Sequence, residues 1–163
     1  YNLYDDAGGA YHHQDFSAHR AYLEEIIKAG KPGGYHPETA YWIAFDEQAI
    51  ASRVTKGDVI FVDVTADWCI TCKANKALVL TRGEVAKKLG GGTVVAMRAD
   101  WTRPDPAISR YLARFGRYGI PFNVVYGPGA PQGIALPELL TSDAVLAALQ
   151  QAGAGAAKVA TKP

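Results

Sequence analysis

Apolar positions along the chain follow two periods, and the switches between them mark the elements. Residues 17–29 carry a helical stripe of Tyr22, Leu23, Ile26 and Ile27, with Ser17 as a cap and Glu24 four residues before Lys28. Gly30 and Pro32 stop that helix, and Lys31-Pro32-Gly33-Gly34 reads as a turn-rich linker. Tyr1 to Phe16 follows neither period. Residues 1–40 therefore read as an N-terminal extension with one helix, partly ordered. From Tyr41 the pattern tightens. Tyr41 to Phe45 predicts a short strand, and Asp46 caps a helix that ends before Gly57. Asp58 to Thr65 is a β-branched run with one internal acid, as expected of a buried central strand. Good helix formers follow from Cys69 to Leu80.

The rest of the chain repeats the alternation. Thr81-Arg82-Gly83-Glu84 has the form of a capping box, so a second helical segment is expected to restart there and to end at Gly90-Gly91-Gly92. Thr93 to Ala99 predicts another buried strand, and Asp100 to Pro106 a proline-punctuated loop. Ile108, Tyr111, Leu112 and Phe115 form one face of a helix closed by Gly116. Phe122 to Tyr126 and Ile134 to Leu136 predict a hairpin across a turn at residues 127–133. Thr141 or Ser142 caps a last helix bearing Val145, Leu146 and Leu149, and residues 152–163 read as a flexible tail. The order is β-α-β-α-β-α-β-β-α.

Composition narrows the picture only a little. The chain has 163 residues, 48% of them apolar, which is enough for one ordinary core. A net charge of +1 without basic or acidic runs gives no case for nucleic acid or a polybasic membrane patch. No stretch approaches the ~20 apolar residues of a membrane span, and no signal peptide is evident. All four histidines (His12, His13, His19 and His36) lie in the extension with Asp5, Asp6 and Asp15, in a spacing that fits no metal motif.

Chemistry concentrates at the two cysteines. Cys69 and Cys72 follow the central strand directly, so Cys69 is expected at a helix N-terminus, where unpaired N–H groups and the helix dipole stabilise a thiolate. Cys72 falls on the same face, so the sulfurs can close a small ring. Zinc wants four ligands and no further Cys exists. A purely structural bridge here would close too short a loop to remove much unfolded-state entropy. A dithiol redox site is the reading that remains, with Cys69, at an expected surface position, as the attacking thiol and Cys72 as the resolving one. Two cysteines in one motif leave the redox compartment open.

Val62-Asp63, Ala66-Asp67-Trp68-Cys69 and Cys72-Lys73 resemble the active-site strand and helix start of the thioredoxin superfamily, and Gly119-Ile120-Pro121 resembles its cis-proline loop. Ala66 to Lys73 resembles more narrowly the C-terminal periplasmic thioredoxin-like domain of DsbD- and ScsB-type thiol:disulfide interchange proteins. Thioredoxin usually carries Gly-Pro where this chain has Ile70-Thr71. The resemblance covers residues 41–151 and leaves the extension unexplained. It implies an α/β thioredoxin fold, a central mixed sheet flanked by helices. It also implies that Asp63 is a buried acid handling the proton of Cys72, with its pKa raised by burial. Trp68 would shield the disulfide and offer an apolar contact, Pro121 would follow a cis bond, and Ile120 would pair with a bound chain. Phe122, Tyr118 and Tyr126 would extend that face or fill the core.

Asp67 would oppose ionisation of Cys69, and at Lys76 the chain departs from the family, which places an acid there. The resemblance further implies a protein-disulfide reductase without cofactor or metal, in a periplasmic domain of a bacterial inner-membrane protein. Two electrons would come from a membrane-embedded cysteine pair and pass to a periplasmic thiol partner, with no nucleic acid and no membrane insertion of this part. The alternatives are a free-standing thioredoxin-like reductase and a non-catalytic docking module.

Overall fold

A computed structural model describes residues 41–160, with side chains through Ala154. The expected first helix, the linker and all four histidines lie outside the described residues. The elements are β1 (Ile43–Ala44), α1 (Glu47–Thr55), β2 (Val59–Thr65), α2 (Ile70–Asn75), a π-helical turn (Lys76–Leu80), α3 (Gly83–Gly90), β3 (Val94–Asp100), α4 (Pro106–Arg114), β4 (Phe122–Gly127), β5 (Ala130–Ala135) and α5 (Ser142–Ala160).

The strands form one sheet in the order β1-β3-β2-β4-β5. β1, β3 and β2 run parallel, whereas β4 lies antiparallel to both β2 and β5. β2 is central and buried from Ile60 to Thr65, which is why its sequence is apolar on both faces. Its alternation separates two cores. Ile60, Val62 and Val64 meet Ile50 and Val54 of α1 and Ile108, Tyr111 and Leu112 of α4. Phe61 faces the other way, toward Val79 and Leu80 of the π turn, Val85 and Leu89 of α3, and Val145 and Leu149 of α5. Asp63 and Thr65 share the Phe61 side of the strand.

Caps set the helix starts. Asp46 accepts from the Gln48 N–H at 3.1 Å, and Asp105 accepts from Ala107 and Ile108 at 2.9 and 3.3 Å with Pro106 first in α4. Gly116, at φ +69°, takes the left-handed position that closes α4.

Three expectations are corrected. The capping box at Thr81 and Glu84 does not form; α3 begins at Gly83 with no side-chain cap. The Thr81 hydroxyl instead donates to the Lys76 carbonyl at 2.7 Å, closing the π turn, and Glu84 pairs with Lys87 at 3.3 Å. β5 begins at Ala130, because the turn needs only Pro128 and Gly129. Pro131 fits there since an edge strand has an N–H to spare. Lastly, α5 continues past Gln151 to Ala160. Alanine-rich sequence sustains a helix, and Ala152 is fully buried, with its carbonyl accepting from the Gly129 N–H at 2.8 Å.

Candidate active site: the Cys69–Cys72 disulfide

The C-terminal end of β2 leads through Ala66, Asp67 and Trp68 into α2, and Cys69 is the N-cap residue of that helix. Its backbone is extended (φ −92°, ψ 102°), and its sulfur accepts from the Cys72 N–H at 3.1 Å. A side chain that accepts from the first turn is what caps a helix, and here the capping atom is one sulfur of the disulfide itself. Cys69 and Cys72 are joined as a disulfide across a Cα–Cα distance of 5.3 Å. Neither lies at the surface: Cys69 is 5% exposed and Cys72 2%. The expected surface position of Cys69 is thus corrected, because its sulfur turns back over the helix end and packs with Ala66 and Ile120.

Ile120 belongs to the loop before β4, where the Ile120–Pro121 bond is cis. Trp68, Trp101, Thr102, Pro104, Tyr118 and Ile120 line a groove of about 470 Å³ beside the disulfide. Trp68 is 59% exposed and forms a wall of that groove. Thr102 anchors it: the Trp68 indole N–H donates to the Thr102 carbonyl at 3.1 Å, and the Asp67 N–H donates to the Thr102 hydroxyl at 2.9 Å. That hydroxyl donates in turn to Asp100 at 2.5 Å. Tyr118 is exposed, whereas Phe122 and Tyr126 belong to the core, where the Tyr126 and Tyr111 hydroxyls meet at 2.6 Å.

Asp63 is buried, as expected, but it is not an isolated acid. One carboxylate oxygen accepts from Arg98 Nε at 3.2 Å and the other from the Asn123 amide at 2.9 Å. The three residues are direct register partners across β3, β2 and β4. The Arg98 guanidinium stacks 3.9 Å above the Trp42 ring. Arg98 and Asn123 were not singled out from the sequence; the available signal was one polar residue inside each of two otherwise apolar strands. Lys76, half-buried at the end of α2, feels the charges of Arg98, Asp63, Asp67 and Asp100. Burial first, and then Arg98, holds its pKa below the usual lysine value. Among the described residues no cluster of His, Cys, Asp and Glu is placed to hold a metal, and no helix is long and apolar enough to cross a membrane.

The family model described as thioredoxin-like matches residues 41–128, more than half of the chain. The chain belongs to the thioredoxin-like family. This thioredoxin-like domain is similar to the thiol:disulfide interchange protein DsbD 1 of Pseudomonas aeruginosa, 31% identical over 86 residues, 53% of this chain and 14% of the relative. It is similar also to DsbD of Ralstonia nicotianae, 27% identical over 117 residues, 71% of this chain and 19% of the relative. The chain thus spans less than a fifth of the curated relatives it matches. The reduced C-terminal domain of Neisseria meningitidis DsbD shares the fold, with a TM-score of 0.54 at 22% identity over 68% of this chain and 99% of that one. A Cys69–Cys72 disulfide in a thioredoxin-like, DsbD-related domain is consistent with thiol–disulfide exchange.

Proposed function

We propose that the domain is a protein-disulfide reductase that relays two electrons from a membrane-embedded cysteine pair to a periplasmic thiol partner. The observation that carries the exchange chemistry is the Cys69 sulfur at the N-cap of α2, accepting the Cys72 N–H with Ile120 packed against the pair. In the reduced state a Cys69 thiolate at that position receives a charge-assisted hydrogen bond. It attacks the partner disulfide, and Cys72 then resolves the mixed disulfide. Asp63, held by Arg98 and Asn123, is assigned the proton of Cys72, and Asp67 tempers the ionisation of Cys69. Trp68, Ile120 and Pro121 receive the partner chain, which pairs with the loop backbone as an added strand. The similarity to DsbD proteins supports the relay and the periplasmic location.

The test of exchange is a trapping experiment. Cys72→Ala is expected to accumulate a mixed disulfide with a disulfide-bearing substrate, visible on a non-reducing gel, and Cys69→Ala is expected to form none. Stable adducts through Cys72 in the Cys69→Ala protein would reverse the assignment. The relay is tested by the reading frame around this chain, which should encode several hydrophobic spans with a cysteine pair.

A further inference from the structure

We infer that Asn75 is a positioning residue for the resolving step, holding Cys72 within reach of Cys69 once the bond between them has opened. The inference rests on the exchange reading above and concerns a residue outside its motif. Asn75 is the last residue of α2 and is 5% exposed. Its amide nitrogen donates to the Glu138 carbonyl at 2.8 Å, and its amide oxygen accepts from the Leu140 N–H at 3.0 Å. One side chain thereby ties the active-site helix to the loop before α5, across 63 and 65 residues of sequence. Cys72 lies three residues earlier on the same buried face.

The helix needs such a tie. Six residues are too few to hold helical structure by themselves. The front end is tied through Asp67 and Trp68 to Thr102, but its cap is the Cys69 sulfur, whose acceptor strength changes between disulfide, thiolate and mixed disulfide. When Cys69 is bonded to a partner, the ring no longer restrains Cys72 and the cap is only the weak acceptor of a neutral sulfur. At the far end the chain leaves α geometry for the π turn, so the helix ladder is also irregular there. The Asn75 amide spans that gap with contacts that do not depend on the redox state.

The step it serves balances within the site. The Cys72 thiolate, its proton having left, attacks the Cys69 sulfur of the mixed disulfide. The Cys69–Cys72 bond forms and the Cys69–partner bond breaks, with the electron pair leaving on the partner sulfur, which then takes up a proton. The domain is oxidised by two electrons and the partner reduced.

The experiment separates the two thiol reactions. Reduced wild-type domain, Asn75→Ala and Asn75→Asp are mixed with a glutathione-capped peptide disulfide. Cys69 attack is read from the alkylation rate, and resolution from the decay of the mixed disulfide on quenched gels. A displacement of the resolving sulfur by a fraction of an ångström predicts that resolution slows by ~10-fold or more in Asn75→Ala, with attack changed less than ~2-fold. Asn75→Asp retains the acceptor for Leu140 while losing the donor to Glu138, so an intermediate slowing is expected, and this variant decides the matter if Asn75→Ala does not fold. Unchanged resolution in a folded variant, or equal slowing of both reactions, overturns the positioning role. If the wild-type domain itself forms no mixed disulfide, the exchange reading fails instead.

Discussion

At the scale of single residues, Lys76 and Asp67 carry opposite charges on either side of the cysteine pair in sequence and act on one another. Helical side chains lean toward the N-terminus, so Lys76 extends back over the turn that holds Cys72. Its depressed pKa fixes the sign of its pH dependence. The unfolded chain binds the Lys76 proton more tightly, so the charged group subtracts from stability at neutral pH. The penalty fades as pH rises through the folded value toward the ordinary 10.5. Lys76→Met is therefore expected to raise Tm at pH 7 while raising the Cys69 thiol pKa, because a cation near a thiolate is lost. A shift of ~0.5 unit slows alkylation at pH 7 about threefold. Asp67→Asn should act in the opposite direction on the thiol. Alkylation rate against pH for the three proteins decides it, and superimposable curves would mean that neither charge reaches the sulfur.

Among elements, the loop between β3 and α4 governs the front of the site. Asp100 holds the Thr102 N–H and hydroxyl, and Thr102 holds Asp67 and Trp68. The Thr102 hydroxyl bond keeps the Asp100 pKa below the usual carboxylate value of 3.8, against a smaller opposing effect of burial. Because the folded value is the lower one, this contribution is complete above the unfolded pKa and is lost as pH falls through the folded value. Acid below about pH 3.8 is thus expected to loosen Trp68 before the core melts, read as faster exchange of its indole N–H by NMR. Thr102→Val should show the same loosening at neutral pH, and Asp100→Asn should lose the acid dependence.

The contrast between such local devices and longer-range ones explains what the sequence disclosed. The caps Asp46 and Thr141, the glycine that closes α4 and the cysteine pair rest on neighbours within four residues, and each was readable. Thr81 misled because the hydroxyl that would start a capping box instead closes a π turn, and nothing local distinguishes the two. Asp63 was readable as an acid in an apolar strand, whereas its partners Arg98 and Asn123 depend on the register of three strands. Asn75 was hidden for the same reason, since its partners lie in the loop before α5.

For the whole molecule, the last helix decides how the sheet is closed. α5 crosses the β4–β5 hairpin so closely that a Cβ at Gly127 would collide with the Ala152 carbonyl oxygen, and the same oxygen accepts from the Gly129 N–H at 2.8 Å. Gly127 is needed here for the approach of two backbones rather than for a special φ angle. Ala152, the first residue of α5 beyond Gln151, therefore supplies a hydrogen bond to the β4–β5 turn and a packing contact to β4, the strand that pairs with β2. Because β4 also carries Asn123, and Asn123 holds Asp63, that closure supports the buried acid of β2. Gly127→Ala is expected to destabilise by ~1–3 kcal/mol, the usual range for overpacking, and to lower Tm by roughly 5–10 °C. Ending the chain after Gln151 removes the same contact from the other side and should lower Tm by a similar amount. Since both changes break one contact, the double variant should lose less than the sum of the two, a coupling measurable by thermal unfolding. Strict additivity would place the two effects in different parts of the fold. A truncated chain that melts like the full one would return the end of the domain to Gln151.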